Sequence, residues 1–181
     1  MNQVRIIGGI WKRRLIAFDS VSGLRPTPDR VRETLFNWLM WDISGKKALD
    51  VCAGSGALGI EALSRGATEC IFIEADKKQA EQLKNSLMQL QCTTATVVCA
   101  KAEQALLQLN EKFDLVFIDP PYALHLWAPL AELIDPLLNT DAKIYVEADQ
   151  PLNQLKLPAR WNLIKETRAG QVYAGLFEAS L

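Results

Sequence analysis

The stretch that decides the fold is residues 48–59, ALDVCAGSGALG, where a short apolar run passes directly into a glycine-rich turn. Gly54, Gly56 and Gly59 form the pattern G-x-G-x-x-G. Glycines at such a turn let the backbone approach a ligand and let the following helix pack closely against the strand. The stretch therefore predicts a β-strand, a ligand-binding loop and the beginning of a helix.

Strands and helices are predicted to alternate along the chain after this stretch. The predicted strands are 48–52, 70–74, 95–99, 113–118 and 143–147, and the predicted helices are 57–65, 77–90, 102–110 and 125–138. This rhythm is typical of a doubly wound, Rossmann-like α/β fold with a mostly parallel sheet. Residues 161–166 and 172–179 have no helix between them, which predicts a C-terminal antiparallel hairpin.

The first 28 residues have a different pattern. Two short apolar stretches, 4–7 and 15–18, flank Gly8-Gly9 and a basic run, which predicts a β-hairpin. Pro26 and Pro28 disfavour a helix before Asp29, where a helix reaching about residue 41 is predicted to begin. We expect residues 1–28 to form a basic hairpin arm in the same compact unit as a domain that covers residues 29–181.

Length and composition fit one domain with a full core, since the chain has 181 residues of which 49% are hydrophobic. No apolar run reaches the roughly 20 residues of a membrane span, and no signal peptide is recognisable, so we expect a cytoplasmic protein. The four cysteines form no C-x-x-C pair and there is one histidine. We therefore expect reduced thiols and no metal site.

Charge is distributed unevenly along the chain, although the net charge is −1. Residues 1–32 have a net charge of +5, and the remainder has −6. A basic arm on an acidic body is typical of a surface that binds phosphates, although a solvated charged face has the same composition. The candidate residues for binding a nucleic-acid backbone are Arg5, Lys12, Arg13, Arg14, Arg25, Arg30 and Arg32.

Two acidic residues decide which ligand the glycine loop is predicted to bind. Asp50 lies at the end of the strand, where a carboxylate favours a cationic ligand and repels the pyrophosphate of NAD. Glu74 ends the next strand, 20 residues after Gly54, where an acidic residue accepts hydrogen bonds from ribose hydroxyls. S-Adenosyl-L-methionine has an ammonium, a sulfonium and a ribose, so it is the predicted cofactor, with NAD or a turn without ligand as the alternatives. The candidate cofactor-binding residues are Asp50, Ala53, Gly54, Ser55, Gly56, Gly59, Glu74, Ala75 and Ala102.

The strand at 113–118 runs directly into Asp119-Pro120-Pro121-Tyr122. Because ligands of open α/β sheets bind beyond the carboxyl ends of strands, Asp119 is predicted to face the same crevice as the glycine loop. An aryl amine is a poor nucleophile because its lone pair is delocalised into the ring. The Asp119 carboxylate and a carbonyl near Pro120 can accept its two hydrogens and turn the lone pair toward a methyl donor.

The two other features of this turn are an aromatic ring and the acidity of Asp119. Tyr122 can stack on a flat base. An ordinary aspartate pKa of roughly 3.9 is poorly matched to proton abstraction, so Asp119 need not act as a full base and can work by orienting the amine. The candidate catalytic residues are Asp119, Pro120, Pro121 and Tyr122. The alternative is that they form only a rigid turn after a strand.

With these motifs, the chain resembles the bacterial family that methylates guanine N2 in small-subunit (16S) ribosomal RNA. The resemblance rests on residues 5–9 with the basic run, on residues 24–37, and on the pair of motifs at 50–59 and 119–122. Within the second block, residues 25–33 match R-P-T-x-x-R-x-R-E, which is the most specific signal because general methyltransferases lack it. Together the blocks span nearly the whole chain.

The resemblance implies a class I methyltransferase sheet, S-adenosyl-L-methionine as cofactor and a monomeric enzyme. The implied target is a loop guanine near the decoding region, in ribosomal RNA, the small subunit or an assembly intermediate. One position departs from the family pattern, since such enzymes often have Asp-Ala after the third strand and this chain has Lys101-Ala102. The contact to the adenine amine is then left to the Ala102 backbone or to Glu103, or is absent.

Two other functions remain open from the sequence. The same turn serves methylation of adenine N6 or of a protein glutamine, although glutamine-modifying enzymes typically have Asn in place of Asp119. A catalytically inactive RNA-binding module would keep the fold, but an intact Asp119 and Tyr122 argue against it.

Overall fold

The structure, a computed structural model, describes residues 2–19 and 26–180. Strands β1 (Asn2–Arg5) and β2 (Leu15–Phe18) form a separate two-stranded antiparallel sheet with Val4 opposite Ile16, as predicted for the hairpin. Arg25, one of the candidate backbone-binding residues, lies outside the described part of the chain, as does Leu24.

The main sheet has seven strands in the order β5-β4-β3-β6-β7-β9-β8. Its strands are β3 (Lys47–Asp50), β4 (Glu69–Ile73), β5 (Ala95–Val98), β6 (Phe113–Ile118), β7 (Leu138–Ala148), β8 (Trp161–Ala169) and β9 (Val172–Ala179). The first five are parallel, whereas β9 is antiparallel to both β7 and β8. The doubly wound α/β fold with its C-terminal antiparallel hairpin is confirmed.

In the described part of the chain, five α-helices cover the sheet: α1 (Asp29–Trp38), α2 (Ala57–Ser64), α3 (Lys77–Gln89), α4 (Ala102–Gln108) and α5 (Trp127–Ile134). Apolar side chains of α1, α2 and α3 share one buried cluster with Phe117 of β6, whereas those of α4 and α5 share a second cluster with the neighbouring Val116. Because successive strand residues point to opposite faces, one strand contributes to both layers. Among the described residues, no helix is both long and apolar enough to cross a membrane.

The hairpin is fixed to α2 through the fully buried side chain of Glu61. One carboxylate oxygen accepts from the Ile7 amide at 2.8 Å and the other from the Gly8 amide at 2.9 Å. Gly9 has φ +78°, and an added Cβ would lie 1.8 Å from the Ser64 carbonyl oxygen, so only glycine fits there. The arm is therefore packed against the domain.

The parallel strands bring four acidic residues to one edge of the sheet. Asp50 ends β3, Glu74 follows β4 and Asp119 follows β6. Ile118 is aligned with Val146, so Glu147 of β7 lies beside Asp119. The carboxyl ends of parallel strands are where open α/β sheets bind ligands.

Candidate active site

The glycine loop is joined to the end of β4 through Glu74. The Gly54 amide donates to one carboxylate oxygen of Glu74 at 2.8 Å, and the Asp76 amide donates to the other at 2.7 Å. Each carboxylate oxygen has a second lone pair, so Glu74 retains acceptor capacity for hydroxyl groups. The loop and the acidic residue predicted to bind ribose thus form one unit.

The structure assigns two of the three motif glycines to close packing inside the protein. A Cβ at Gly56 would lie 2.3 Å from Cδ1 of Leu83, and one at Gly59 would lie 2.3 Å from the ring of Phe72. Both glycines therefore let α2 approach α3 and β4. Gly54 has φ +55°, and its close approach to a ligand stays a prediction.

Asp50 is buried, with 2% of its surface exposed, and one of its oxygens accepts from the Gly59 amide at 3.0 Å. Burial raises the pKa of Asp50 to about 7, with a further rise from the charge of Glu74 and an opposing effect of the Gly59 hydrogen bond. A cationic ligand beside this carboxyl group would favour its ionised form.

The chemistry of the crevice fits the predicted cofactor. Asp50 and Glu74 interact electrostatically, so a positively charged group between them relieves repulsion, whereas a pyrophosphate would increase it. Glu74 would bind the ribose hydroxyls and Asp50 the ammonium group.

The remaining candidate cofactor residues differ in exposure. Ala53 and Ser55 are buried in the loop, and the Ala53 amide donates to the Ile73 carbonyl at 2.9 Å. Ala75 is exposed just beyond β4, while Ala102 is buried at the first position of α4. Their contacts with a cofactor stay predictions, as does the adenine contact next to the exposed Lys101.

Asp119 is contacted from two directions. The hydroxyl of Thr27, in the R-P-T block, donates to one of its oxygens at 3.2 Å. From β7, the Glu147 carboxyl group lies close enough to interact electrostatically with Asp119. The R-P-T block therefore contacts the turn at residues 119–122 directly. This contact was not predictable from the motifs.

The acidity of Asp119 differs from the ordinary value assumed from sequence. Burial, followed by the charge of Glu147, raises the pKa of Asp119 well above its usual range, and the Thr27 hydrogen bond opposes this only in part. The argument from an ordinary aspartate pKa therefore does not apply to Asp119, because it used the pKa of a solvated side chain.

The two prolines of the turn have different roles. Pro120 is buried and Pro121 is exposed. The carbonyl of Pro121 accepts from the Leu124 amide at 3.1 Å in the 3-10 turn Tyr122–Leu124. The Pro121 carbonyl therefore already has a local donor, which leaves the Pro120 carbonyl as the candidate second acceptor for an amine.

Tyr122 is held at both ends of its side chain. Its hydroxyl donates to Glu147 at 3.1 Å, and its ring stacks on Trp127 with centroids 6.0 Å apart. The ring is half-exposed beside Asp119. This placement agrees with a stacking surface for a flat base next to the proposed acceptor.

Comparisons with known proteins place this geometry in a family. The family model described as conserved hypothetical protein 95 matches residues 4–178. Ribosomal RNA small subunit methyltransferase D of Escherichia coli is 43% identical over 97% of this chain and 90% of its own. The protein of that name from Haemophilus influenzae is 42% identical over 97% of this chain and 94% of its own. A solved Escherichia coli structure, 42% identical, superimposes with a TM-score of 0.89 over 99% of both chains.

The chain belongs to the ribosomal RNA small subunit methyltransferase D family. The family resemblance inferred from the motifs is confirmed, and with it the methyltransferase class of the fold.

One of the family's basic positions is structural in this chain. Arg32 is 1% exposed and donates to Asp29 at 2.8 Å and to the Arg5 carbonyl at 3.1 Å. A further oxygen, from Glu61, lies 3.7 Å away. The assignment of Arg32 to RNA binding is wrong, because its guanidinium is buried between the hairpin and α2.

The other described arm residues are exposed. Arg14 donates to the Gln89 carbonyl at 2.9 Å and Arg30 to the Arg168 carbonyl at 3.4 Å, whereas Arg5, Lys12 and Arg13 lie on the surface. A cleft of about 490 Å³ separates the hairpin from α1. Its lining includes Arg5 and Thr27, so it leads from the arm to the residue that contacts Asp119.

Among residues 2–19 and 26–180, no three histidine, cysteine or acidic side chains are grouped to hold a metal ion.

Proposed function

We propose that this protein is an S-adenosyl-L-methionine-dependent methyltransferase that modifies the exocyclic N2 amine of a guanine in small-subunit ribosomal RNA. The observation that carries the proposal is Asp119, placed beyond β6 next to the glycine loop that follows β3. The names of the relatives support ribosomal RNA as the substrate. The protein is expected to act in the cytoplasm, as a monomer, on the small subunit or an assembly intermediate.

The residues of the site have separate tasks in this reaction. Glu74 and Asp50 bind the cofactor, which supplies a methyl group on a sulfonium when bound. Asp119 and the Pro120 carbonyl accept the two amine hydrogens and direct the nitrogen lone pair out of the plane of the base. Tyr122 stacks on the base and limits its rotation.

The basic arm is proposed to bind the phosphates of the RNA. Arg5, Lys12 and Arg13 are exposed on or near the hairpin, and the adjoining cleft reaches Thr27. A base that is turned out of a loop can pass along this cleft, while the charged side chains hold the backbone on either side.

The test is transfer of a labelled methyl group from the cofactor. The purified chain is incubated with small subunits, and separately with deproteinised small-subunit RNA, from a strain that lacks the homologous gene. Digestion of the RNA is expected to yield labelled N2-methylguanosine, and Asp119→Ala is expected to remove the label. Labelled N6-methyladenosine, or label found only in protein, would mean that the methyl acceptor is not guanine N2. No label in any fraction would favour a catalytically inactive RNA-binding module.

A further inference from the structure

Another buried carboxyl group of the site, Glu147, has no task in the proposed reaction. It lies on β7 next to the catalytic turn, and only 3% of its surface is exposed. Burial of a carboxyl group is costly unless it is hydrogen-bonded. The partners of Glu147 therefore indicate why the site keeps it.

Two tyrosine hydroxyls hold the Glu147 carboxylate in place. Tyr145 donates to one oxygen at 2.7 Å and Tyr122 donates to the other at 3.1 Å. The Glu147 carbonyl accepts from the indole of Trp127 at 2.9 Å, which fixes the backbone at the same point. Tyr145 is fully buried, so at least this contact is shielded from water.

The same carboxylate is a neighbour of Asp119. The alignment of Ile118 with Val146 places the two carboxyl groups side by side at the strand ends, close enough to interact. The charge of Glu147 is also a cause of the raised pKa of Asp119.

We propose that Glu147 and Asp119 work as a pair of carboxyl groups in which Glu147, held by Tyr122 and Tyr145, positions Asp119 to receive the proton that leaves the amine. This inference rests on the proposed function. Glu147 is a positioning residue, because it acts through Asp119, and Asp119 is the catalytic one.

Methyl transfer to an amine leaves one proton that has to be removed from the nitrogen. The nitrogen lone pair forms the new C–N bond, and the electrons of the broken S–C bond stay on sulfur. The nitrogen is then positively charged and loses one hydrogen as a proton to the ionised Asp119 carboxylate, which becomes neutral and later releases the proton to water. A general base works best when its pKa lies near the working pH, and Glu147 moves Asp119 in that direction.

The groups that face this pair are few among the described residues. Asp50 and Cys52 interact with Asp119, and Thr27 donates to it. Tyr122 and Tyr145 donate to Glu147, and Asp149 acts on Tyr122. On β9 the residue opposite Glu147 is Ala174, which has no charge. Replacing Glu147 by Gln removes one negative charge from the set and keeps an oxygen that can accept from a tyrosine.

The first experiment needs neither RNA nor cofactor. Infrared spectra of the full chain are recorded against pH for the wild type, Glu147→Gln and Asp119→Asn, and the Asp119 carboxyl band is identified by difference. Asp50 is common to all three proteins and cancels. The midpoint of the Asp119 band is expected to fall by about one pH unit or more in Glu147→Gln, which is the coupling that defines interacting sites. An unchanged midpoint would overturn the pair.

The second experiment separates positioning from a purely structural role. Single-turnover methylation of small subunits is measured against pH at saturating cofactor. In Glu147→Gln the acid limb of the profile is expected to move to lower pH and the plateau rate to fall, with little change in KM. A lower rate with an unmoved acid limb would contradict the proposal, as a misplaced side chain would produce that result.

A matched control and a second variant keep the test decisive. Glu178→Gln makes the same change on β9, where Glu178 pairs with Lys143 on the surface, and is expected to leave the profile unchanged. If Glu147→Gln fails to fold, Tyr145→Phe removes one donor to Glu147 and is expected to shift the acid limb in the same direction. A shifted infrared midpoint in a protein that methylates no RNA would keep the pair and refute the proposed function.

Discussion

Asp119 is the residue on which the proposed chemistry depends most directly. Removal of a contact made in the transition state costs about 3–4 kcal/mol, so Asp119→Ala is expected to lower kcat by about 10²–10³-fold with a smaller effect on KM. Because Asp119 is proposed to receive a proton, Asp119→Asn is expected to be almost as slow as Ala, since a neutral amide accepts a hydrogen bond but no proton at neutral pH. Single-turnover rates on one RNA substrate make the comparison, and near-normal turnover of either variant would refute this role.

Asp50 gives a separate prediction on the pH dependence of cofactor binding. Its pKa is about 7 in the free protein, so below that pH the carboxyl group is increasingly neutral. If the cofactor's cationic group requires the ionised form, affinity is expected to fall by about tenfold per pH unit below pH 7 and to level off just above it, until the cofactor's own α-amino group loses its proton near about pH 8. Calorimetric titration of S-adenosyl-L-methionine from pH 5 to 9 measures this, with Asp50→Asn as a control that should bind weakly at every pH.

The contribution of Asp50 to the free energy of unfolding depends on pH in the direction opposite to that of cofactor affinity. The unfolded side chain ionises near pH 3.8, whereas the folded one stays protonated up to about pH 7. The unfolded state therefore binds fewer protons in this window, and the Asp50 contribution to stability decreases as pH rises from about 4 to 7 and is constant above.

Single residues were predictable from sequence where each ended an apolar strand beside a recognisable motif. Asp50, Glu74 and Asp119 satisfied that condition. Glu147 also ends an apolar strand, but no motif follows it, and its importance comes from a neighbour 28 positions earlier in the sequence. The acidity of Asp119 was mispredicted for the same reason, because a pKa depends on packing that no single segment specifies.

At the level of elements, α2 holds the hairpin through Glu61. Glu61→Ala would leave the buried Arg32 without this carboxylate and remove the acceptor for the Ile7 and Gly8 amides. Breaking a buried ion pair costs about 3–5 kcal/mol, so this loss in the free energy of unfolding is expected. Denaturant unfolding measures it. Glu81→Ala, at an exposed position of α3, is the control and should change the free energy of unfolding by less than about 1 kcal/mol.

Element types were predictable from periodicity, whereas their ends depended on local chemistry. Helix α5 ends at Ile134, four residues before the prediction, and a 3-10 turn containing Pro136 follows it. Strand β7 begins at Leu138, five residues before the prediction. Leu138 pairs with Phe113, the register shifts before Lys143, and the polar segment 139–141 between them interrupts the apolar pattern. The hairpin was predictable, but its attachment through Glu61 was not, since an acidic residue inside a helix is usually exposed.

At the scale of the whole molecule, the net charge of −1 is the sum of a basic arm and an acidic body, since residues 1–32 carry +5 and the remainder −6. Fewer arm residues are available to contact RNA than the sequence predicts, because Arg32 is buried and Arg14 already donates a hydrogen bond to α3. Lys12 and Arg13 are exposed side by side in the turn of the hairpin. They are free to approach phosphates at the tip of the arm, whereas Arg5 lines the cleft itself.

The last prediction therefore concerns the salt dependence of RNA binding. Replacing Lys12 and Arg13 by Ala removes two counterion-releasing contacts, and each contributes a log–log slope of roughly 0.7 to 0.9. The double variant is expected to bind small-subunit RNA more weakly at low salt and with a slope reduced by about 1.4 to 1.8. Binding of S-adenosyl-L-methionine should not change, because the hairpin turn lies outside the crevice.

A matched double variant separates local contacts from net charge. Lys46→Ala with Lys112→Ala removes the same two charges from exposed residues that precede β3 and β6, at the edge of the sheet opposite the crevice. If the arm binds phosphates directly, this control should keep the wild-type slope, because counterions are released only where phosphates are contacted. Equal slope changes in the two variants would instead mean that the overall charge governs binding, and the arm would then be only a solvated face of the protein.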